Sequence, residues 1–237
     1  VCSSDLEELV EWVDVAPASA TSAARARALV DSAVATLGLP LDEDDLASIA
    51  RFHDTFVAAG LDLRFRSHGR APRPYYPTLR QLVLERDLTG RRGSFLADPD
   101  DYAYVRELEL RNLVVPVVGD LAGDHAVRAV GDFLRERDEP VTVLYASNVE
   151  FYLFRDGTFE DFADNVRSLP RAPGAVLIRS YFPNFRGPHP HAVRGYWSTQ
   201  SLQTMESFVE AASGDGYAGY WDLVTRDTLA PRPAGGP

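Results

Sequence analysis

Apolar residues recur at helical spacing through the first half of the chain and change to short continuous runs after residue 112. TSAARARALVDSAVATLGLP predicts a helix that closes on Gly38 and Pro40. LDEDDLASIARFHDTFVAAG predicts a second, with acids in its first turn and Gly60 at its end, the order a helix dipole favours. PTLRQLVLERD reads as a short helix opened by Pro77. DPDDYAYVRELELRNL reads as a helix capped by Asp98, with Pro99 at its first position, running to about Leu110. Between them RSHGRAPRPYYP is rich in Arg, Gly and Pro and predicts a loop or extended connector. Arg64, Arg66, Arg70 and Arg73 gather there, as an anion-binding arm or as a solvated linker.

After residue 112 the period shortens. LVVPVVGD predicts a strand buried on both faces, although Pro116 lacks the N–H a central ladder needs and favours an edge. GDHAVRAVGDFLRERD predicts a helix capped near Asp124, and VTVLYASNVEFYLF opens with a second buried strand from Val141 to about Ala146. TFEDFADNVRSL predicts a helix capped by Thr158, and GAVLIRSYF a third strand. STQSLQTMESFVEAASGDG predicts another helix and YAGYWDLVTR a last strand. Alternating strands and helices imply an α/β fold with a mostly parallel sheet and right-handed crossovers. The expected organisation is a foreign scar at 1–6, a helical segment at 7–111, an α/β portion at 112–226 and a tail at 227–237, where APRPAGGP is disordered by composition.

The scar is inferred from VCSSDL, which holds the chain's one cysteine, Cys2, and starts with Val. It back-translates as GTG-TGC-TCT-TCC-GAT-CT, the end of a common sequencing adapter, and such segments are excluded from fold reasoning. The alternative is a native helix start with Ser4 or Asp5 as its cap.

Composition narrows the chemistry. With Cys2 set aside the chain has no disulfide, no cysteine nucleophile and no thiolate metal site, which is compatible with a cytoplasmic location. All 24 basic residues are arginine, so neither a Schiff-base lysine nor a P-loop lysine is available. A net charge of −11 argues against nucleic acid as a partner, and no apolar run reaches the ~20 residues of a membrane span. G-x-S-x-G, H-E-x-x-H and G-x-G-x-x-G are absent. Composition leaves the oligomeric state open.

Ligands of open α/β sheets bind outside the carboxyl ends of the strands. The predicted strands end in Gly119-Asp120, in Ser147-Asn148-Val149-Glu150 and in Arg179-Ser180-Tyr181, each placing polar groups where an apolar run stops. Plainer readings exist: Asp120 as a loop residue or cap, Ser147 and Asn148 as a helix N-cap with Glu150 in its capping box, and Arg179 as the ion-pair partner of a nearby acid. In YFPNFRGPHPHAVRGYW, His189 and His191 belong to a substrate-covering loop, a plain surface loop, or a metal site completed by an acid such as Asp222. His53 falls within a helix and reads as structural.

VVPVVGD followed by a helix and then VTVLYASNVEFYLF resembles the third and fourth strand segments of Rossmann-like S-adenosylmethionine-dependent methyltransferases. More narrowly, about Tyr76 to Val224 is similar to a bacterial group described only as methyltransferase-like. The resemblance implies that Asp120 contacts the adenine, with Gly119 and Ser147 also on the cofactor. It implies that Ser147, Asn148 and Glu150 lie beside the methyl group and substrate, with Glu150 the candidate general base. Arg179 and Tyr181, by their place after the third strand, and His189, in the aromatic loop, are the candidate contacts to a small-molecule substrate. Two expected elements, a glycine-rich turn after the first strand and an acid after the second, are absent from residues 7–112. On that ground the chain is expected to be truncated at its N-terminus and to bind S-adenosylmethionine poorly by itself. The alternatives are a degenerate, non-catalytic binding or scaffold domain, and some other Rossmann-like enzyme such as a nucleotide-sugar or dinucleotide protein.

Overall fold

Side-chain caps place most helix starts of the first half where the pattern predicts them. The computed structural model describes residues 3–16, 19–65, 73, 76–87, 89–183 and 186–229, in two units, residues 1–115 and 116–237. Cys2, Arg66, Arg70 and most of the C-terminal tail, including all of APRPAGGP, lie outside the described residues.

The first unit is helical: α1 (Ser3–Val15), α2 (Ala20–Leu37), α3 (Glu43–Ala59), α4 (Leu79–Leu84) and α5 (Pro99–Leu110). Ser19 caps α2, and Gly38 closes it with φ 61°, a left-handed conformation that glycine adopts without a Cβ penalty. Asp42 and Asp45 form a reciprocal capping box on α3, as Thr78 and Gln81 do on α4. Asp98 caps α5 ahead of Pro99. Among the described residues of this unit the fully buried apolar side chains are Leu6 and Val10, one turn apart on α1. Ion pairs add to this: Arg80 holds Asp14 through both carboxylate oxygens at 2.6 and 2.7 Å, and the buried Arg92 meets Glu7 and donates to Leu84 O. The expectation that residues 1–6 add nothing to the fold is corrected at Leu6, which is 1% exposed.

The second unit carries a mixed sheet of three strands among the described residues, β1 (Val141–Ser147), β2 (Arg171–Tyr181) and β3 (Thr199–Thr204), in the order β1-β2-β3. Helix α6 (Ala126–Arg135) precedes it. β1 and β2 are parallel, so the chain must cross over between them, which it does through α7 (Val149–Asp156) and α8 (Phe159–Ser168). β3 pairs with β2 antiparallel. Helices α9 (Met205–Ser213) and α10 (Tyr220–Thr225) follow. Alternation along β2 turns Ala175, Leu177, Arg179 and Tyr181 into the core, which α7 to α10 complete with side chains such as Phe162, Val166, Phe208 and Leu223. The opposite sheet face carries Val143 and Tyr145 on β1, 51% and 58% exposed.

Three predicted elements are corrected. Residues 113–118 form no strand, and Val118 is completely exposed. Pro116 breaks the ladder of donors there, and an apolar run becomes a buried strand only where neighbours pair with it. The predicted helix at 198–216 is β3 for its first part and α9 for its second, divided at Thr204, whose hydroxyl caps α9. The predicted last strand at 217–226 is α10 over 220–225, because Tyr220, Leu223 and Val224 bury one helical face.

Candidate functional site

The parallel strands β1 and β2 end side by side, β1 at Ser147 and β2 at Tyr181. β1 stops at Ser147, whose φ of 54° lies in the left-handed region that non-glycine residues seldom occupy. Ser147 Oγ donates to Asn148 Oδ1 at 3.4 Å, and both residues are half-buried. Asn148 stands at the N-cap of α7, but its side chain makes no capping bond, so the plain capping reading does not account for it.

Two residues on, Glu150 is fully buried. Both of its oxygens accept from Arg179 Nε, at 2.8 and 3.0 Å. Arg179, also fully buried, donates through Nη1 to Gln203 Oε1 at 2.9 Å, and Gln203 Nε2 donates to the Tyr217 hydroxyl at 2.9 Å. The guanidinium lies 5.3 Å from the Phe208 ring centroid. Burial pushes the Glu150 carboxyl above the usual carboxylate range, and the Arg179 charge opposes that rise only in part. The Tyr220 phenol is raised as well, first by burial and then by the negative charge of Glu150. An accessible general base at Glu150 is therefore corrected: it is the acid with which Arg179 pairs, shut off from solvent.

Asp120 and Gly119 lie on an exposed turn ahead of α6. The Asp120 carboxylate accepts from Ala122 N at 2.9 Å, an Asx turn. That turn is held from beneath by Asn165 on α8, which is fully buried and donates through Nδ2 to Leu121 O at 2.9 Å and Gly123 O at 2.7 Å. Asn165 Oδ1 accepts from Arg128 Nε at 2.9 Å. No motif singles out Asn165; its signal in the sequence is a polar residue at a core position of an amphipathic helix.

Tyr181 and His189 are buried rather than open to a substrate. The Tyr181 hydroxyl donates to Gly187 O at 2.9 Å. His189 Nδ1 accepts from His191 N at 3.0 Å, so the proton sits on Nε2, which donates to Val224 O at 3.0 Å. Both ring nitrogens are occupied, and the loop is pinned to α10. Asp222 accepts from Ala218 N at 3.0 Å. Among the described residues no three potential metal ligands come together. His53 lies in α3 with Nδ1 3.1 Å from Asp54. Arg64 Nη1 donates to Tyr76 O at 2.7 Å.

One polar row has no counterpart among the sequence expectations. On the open sheet face the Tyr145 hydroxyl donates to Ser180 Oγ at 2.9 Å, while Ser180 donates to Gln200 Oε1 at 3.1 Å, which links all three strands. This row flanks Ser147 and Asn148 at the carboxyl ends of the parallel pair, with Val143 on the same face. It can accept and donate hydrogen bonds beside an apolar surface.

Residues 64–228 match the family model described as Domain of unknown function (DUF7790). Comparison with curated proteins gives no match. Among the described residues no helix is long and apolar enough to cross a membrane.

Proposed function

We propose that this chain, which belongs to the DUF7790 family, a domain of unknown function, serves methyl transfer from S-adenosylmethionine to a small molecule on part of a Rossmann-like sheet. The observation that carries the reading is the grouping of Tyr145, Ser147, Asn148 and Ser180 where two parallel strands end side by side. A helical crossover and an antiparallel edge strand are also what a doubly wound sheet with a reversed edge has. Asp120, Gly119 and Ser147 are assigned to the cofactor. Asn148 and the Tyr145 row are assigned to orienting the acceptor. The buried Glu150–Arg179 pair, Tyr181 and His189 then act as positioning residues that stiffen the strand ends. Methyl transfer needs alignment and exclusion of water more than it needs a base, so burial of Glu150 is compatible with it.

A second reading, a non-catalytic binding or scaffold domain, is favoured by the same burial, since it removes the one carboxylate assigned to chemistry. Isothermal titration of S-adenosylmethionine into the purified chain separates the two. Micromolar binding that weakens about tenfold in Asp120→Ala, the loss of about one charge-assisted hydrogen bond, supports the first. No heat rejects it in favour of the second.

A further inference from the structure

We propose that the free edge of β1 is a self-association surface, on which a second copy of this chain lays its own β1 antiparallel, joining the two sheets into one. β1 ends the strand order β1-β2-β3, and among the described residues no strand pairs with its outer edge. Val141 N donates to Pro170 O at 2.8 Å, so Val141, Val143 and Tyr145 turn their backbone groups towards β2. Alternation turns the N–H and C=O of Thr142, Leu144 and Ala146 outwards, a row of donors and acceptors that an added strand satisfies. The opposite edge of the sheet is taken: Leu229 N donates to Leu202 O on β3 at 2.7 Å. With one edge free, a two-fold axis closes a dimer and leaves no edge for a third copy.

Register selects a second copy as the occupant. β1 has 7 residues, Val141–Ser147, with Leu144 at the midpoint, and Leu144 is one of those that turn their backbone groups outwards. A two-fold axis normal to the sheet at Leu144 therefore overlaps the two strands along their whole length. Leu144 faces Leu144 of the partner subunit in a hydrogen-bonded pair, and Thr142 faces the partner's Ala146 in another. On the open sheet face Val143 lies against the partner's Tyr145, a β-branched residue against an aromatic ring, and the reciprocal contact forms with it. Both side chains are more than half exposed in the single chain. VTVLYAS carries no charge to repel its own copy, and no proline or lysine of the kind that guards an edge strand. The apolar run at 113–118 suits this edge less well, because Pro116 has no N–H to give. The partner's Val143 also borders the row of Tyr145, Ser180 and Gln200, whatever that row binds.

Sedimentation equilibrium of the full chain, with residue-resolved hydrogen exchange, tests this. The expected mass is roughly twice the 26.1 kDa of the chain. The amides of Thr142, Leu144 and Ala146 should be protected in the dimer. Val143→Lys with Tyr145→Lys, both at exposed positions, sets like charges opposite each other across the axis. It should return the mass to that of one chain with the circular dichroism of the parent. Exchange at those three amides should then accelerate at least about tenfold, while the amides of Val143 and Tyr145 stay protected by β2. Val143→Lys with Tyr145→Glu sets opposite charges there and should keep the dimer. A single-chain mass at every concentration up to about 100 µM, a level that excludes even a weak specific dimer, overturns the proposal. Protection of the three amides in that monomer would make a segment of the chain itself the occupant. A dimer whose three amides exchange freely, one that survives the double lysine variant, or one lost equally in the lysine–glutamate variant also overturns it.

Discussion

Glu150 and Arg179 do not contribute symmetrically to the fold, because one can discard its charge and the other cannot. Glu150→Ala leaves the Arg179 cation fully buried with Gln203 and the Phe208 ring for company and no counter-ion. A guanidinium does not deprotonate in a protein, so the expected loss is about 3–5 kcal/mol. Arg179→Met leaves a buried carboxyl instead, and Glu150 is already pushed above its ordinary value of 4.5 by burial, so it keeps a proton. Near pH 5 that variant should be less damaged than Glu150→Ala by at least about 1 kcal/mol, even after loss of the Gln203 bond. The sign with pH follows from the raised value. Above the ordinary glutamate range the unfolded chain releases the proton while the folded Arg179→Met variant retains it. Its stability must therefore fall as pH rises, by up to about 1.4 kcal/mol per unit. The double variant Glu150→Leu/Arg179→Met removes both charges and should lie within about 1–2 kcal/mol of the parent, or above it. Urea unfolding of the four proteins at about pH 5 and about pH 8 measures each quantity. Equal losses for the two single variants at both pH values would refute the reasoning. So would a double variant no more stable than the sum of its parts.

Asn165→Ala strands the carbonyls of Leu121 and Gly123 and the Nε of Arg128, at a cost of about 2–3 kcal/mol, and hydrogen exchange at residues 121–124 should accelerate with the thermal midpoint lowered. Unchanged exchange there would remove Asn165 as the anchor of the Asp120 turn. Leu6→Ala should destabilise the first unit by about 2–5 kcal/mol, read as an earlier urea transition. A neutral outcome would restore the reading of residues 1–6 as an appendage.

The parts of this protein that the sequence determined are those governed by local chemistry. Asp98 before Pro99, Asp42 before an acidic first turn and Gly38 after an amphipathic run each satisfy or release backbone groups within a few residues, so their helices are legible without tertiary contacts. The strand at Val141 and the one ending at Tyr181 are legible as apolar runs for the same local reason. β3 is not legible, because it buries Ser201 and Gln203 and turns Leu202 outward, the reverse of the usual alternation. Gln203 can be buried only because Arg179, on the neighbouring strand, supplies the donor it needs. The segment 217–226 reads as a strand because Tyr and Trp fit a pleated surface, and its helical period emerges once Tyr220, Leu223 and Val224 meet the core. The run at 113–118 shows the converse: an apolar sequence becomes a strand only where a neighbour pairs with it. Tertiary structure also divided the candidate site residues. It buried Glu150 against Arg179, exposed Asp120, closed both nitrogens of His189 and joined Tyr145, Ser180 and Gln200 across three strands. Spacing along the chain determines none of these, because each depends on which side chain lies opposite in space.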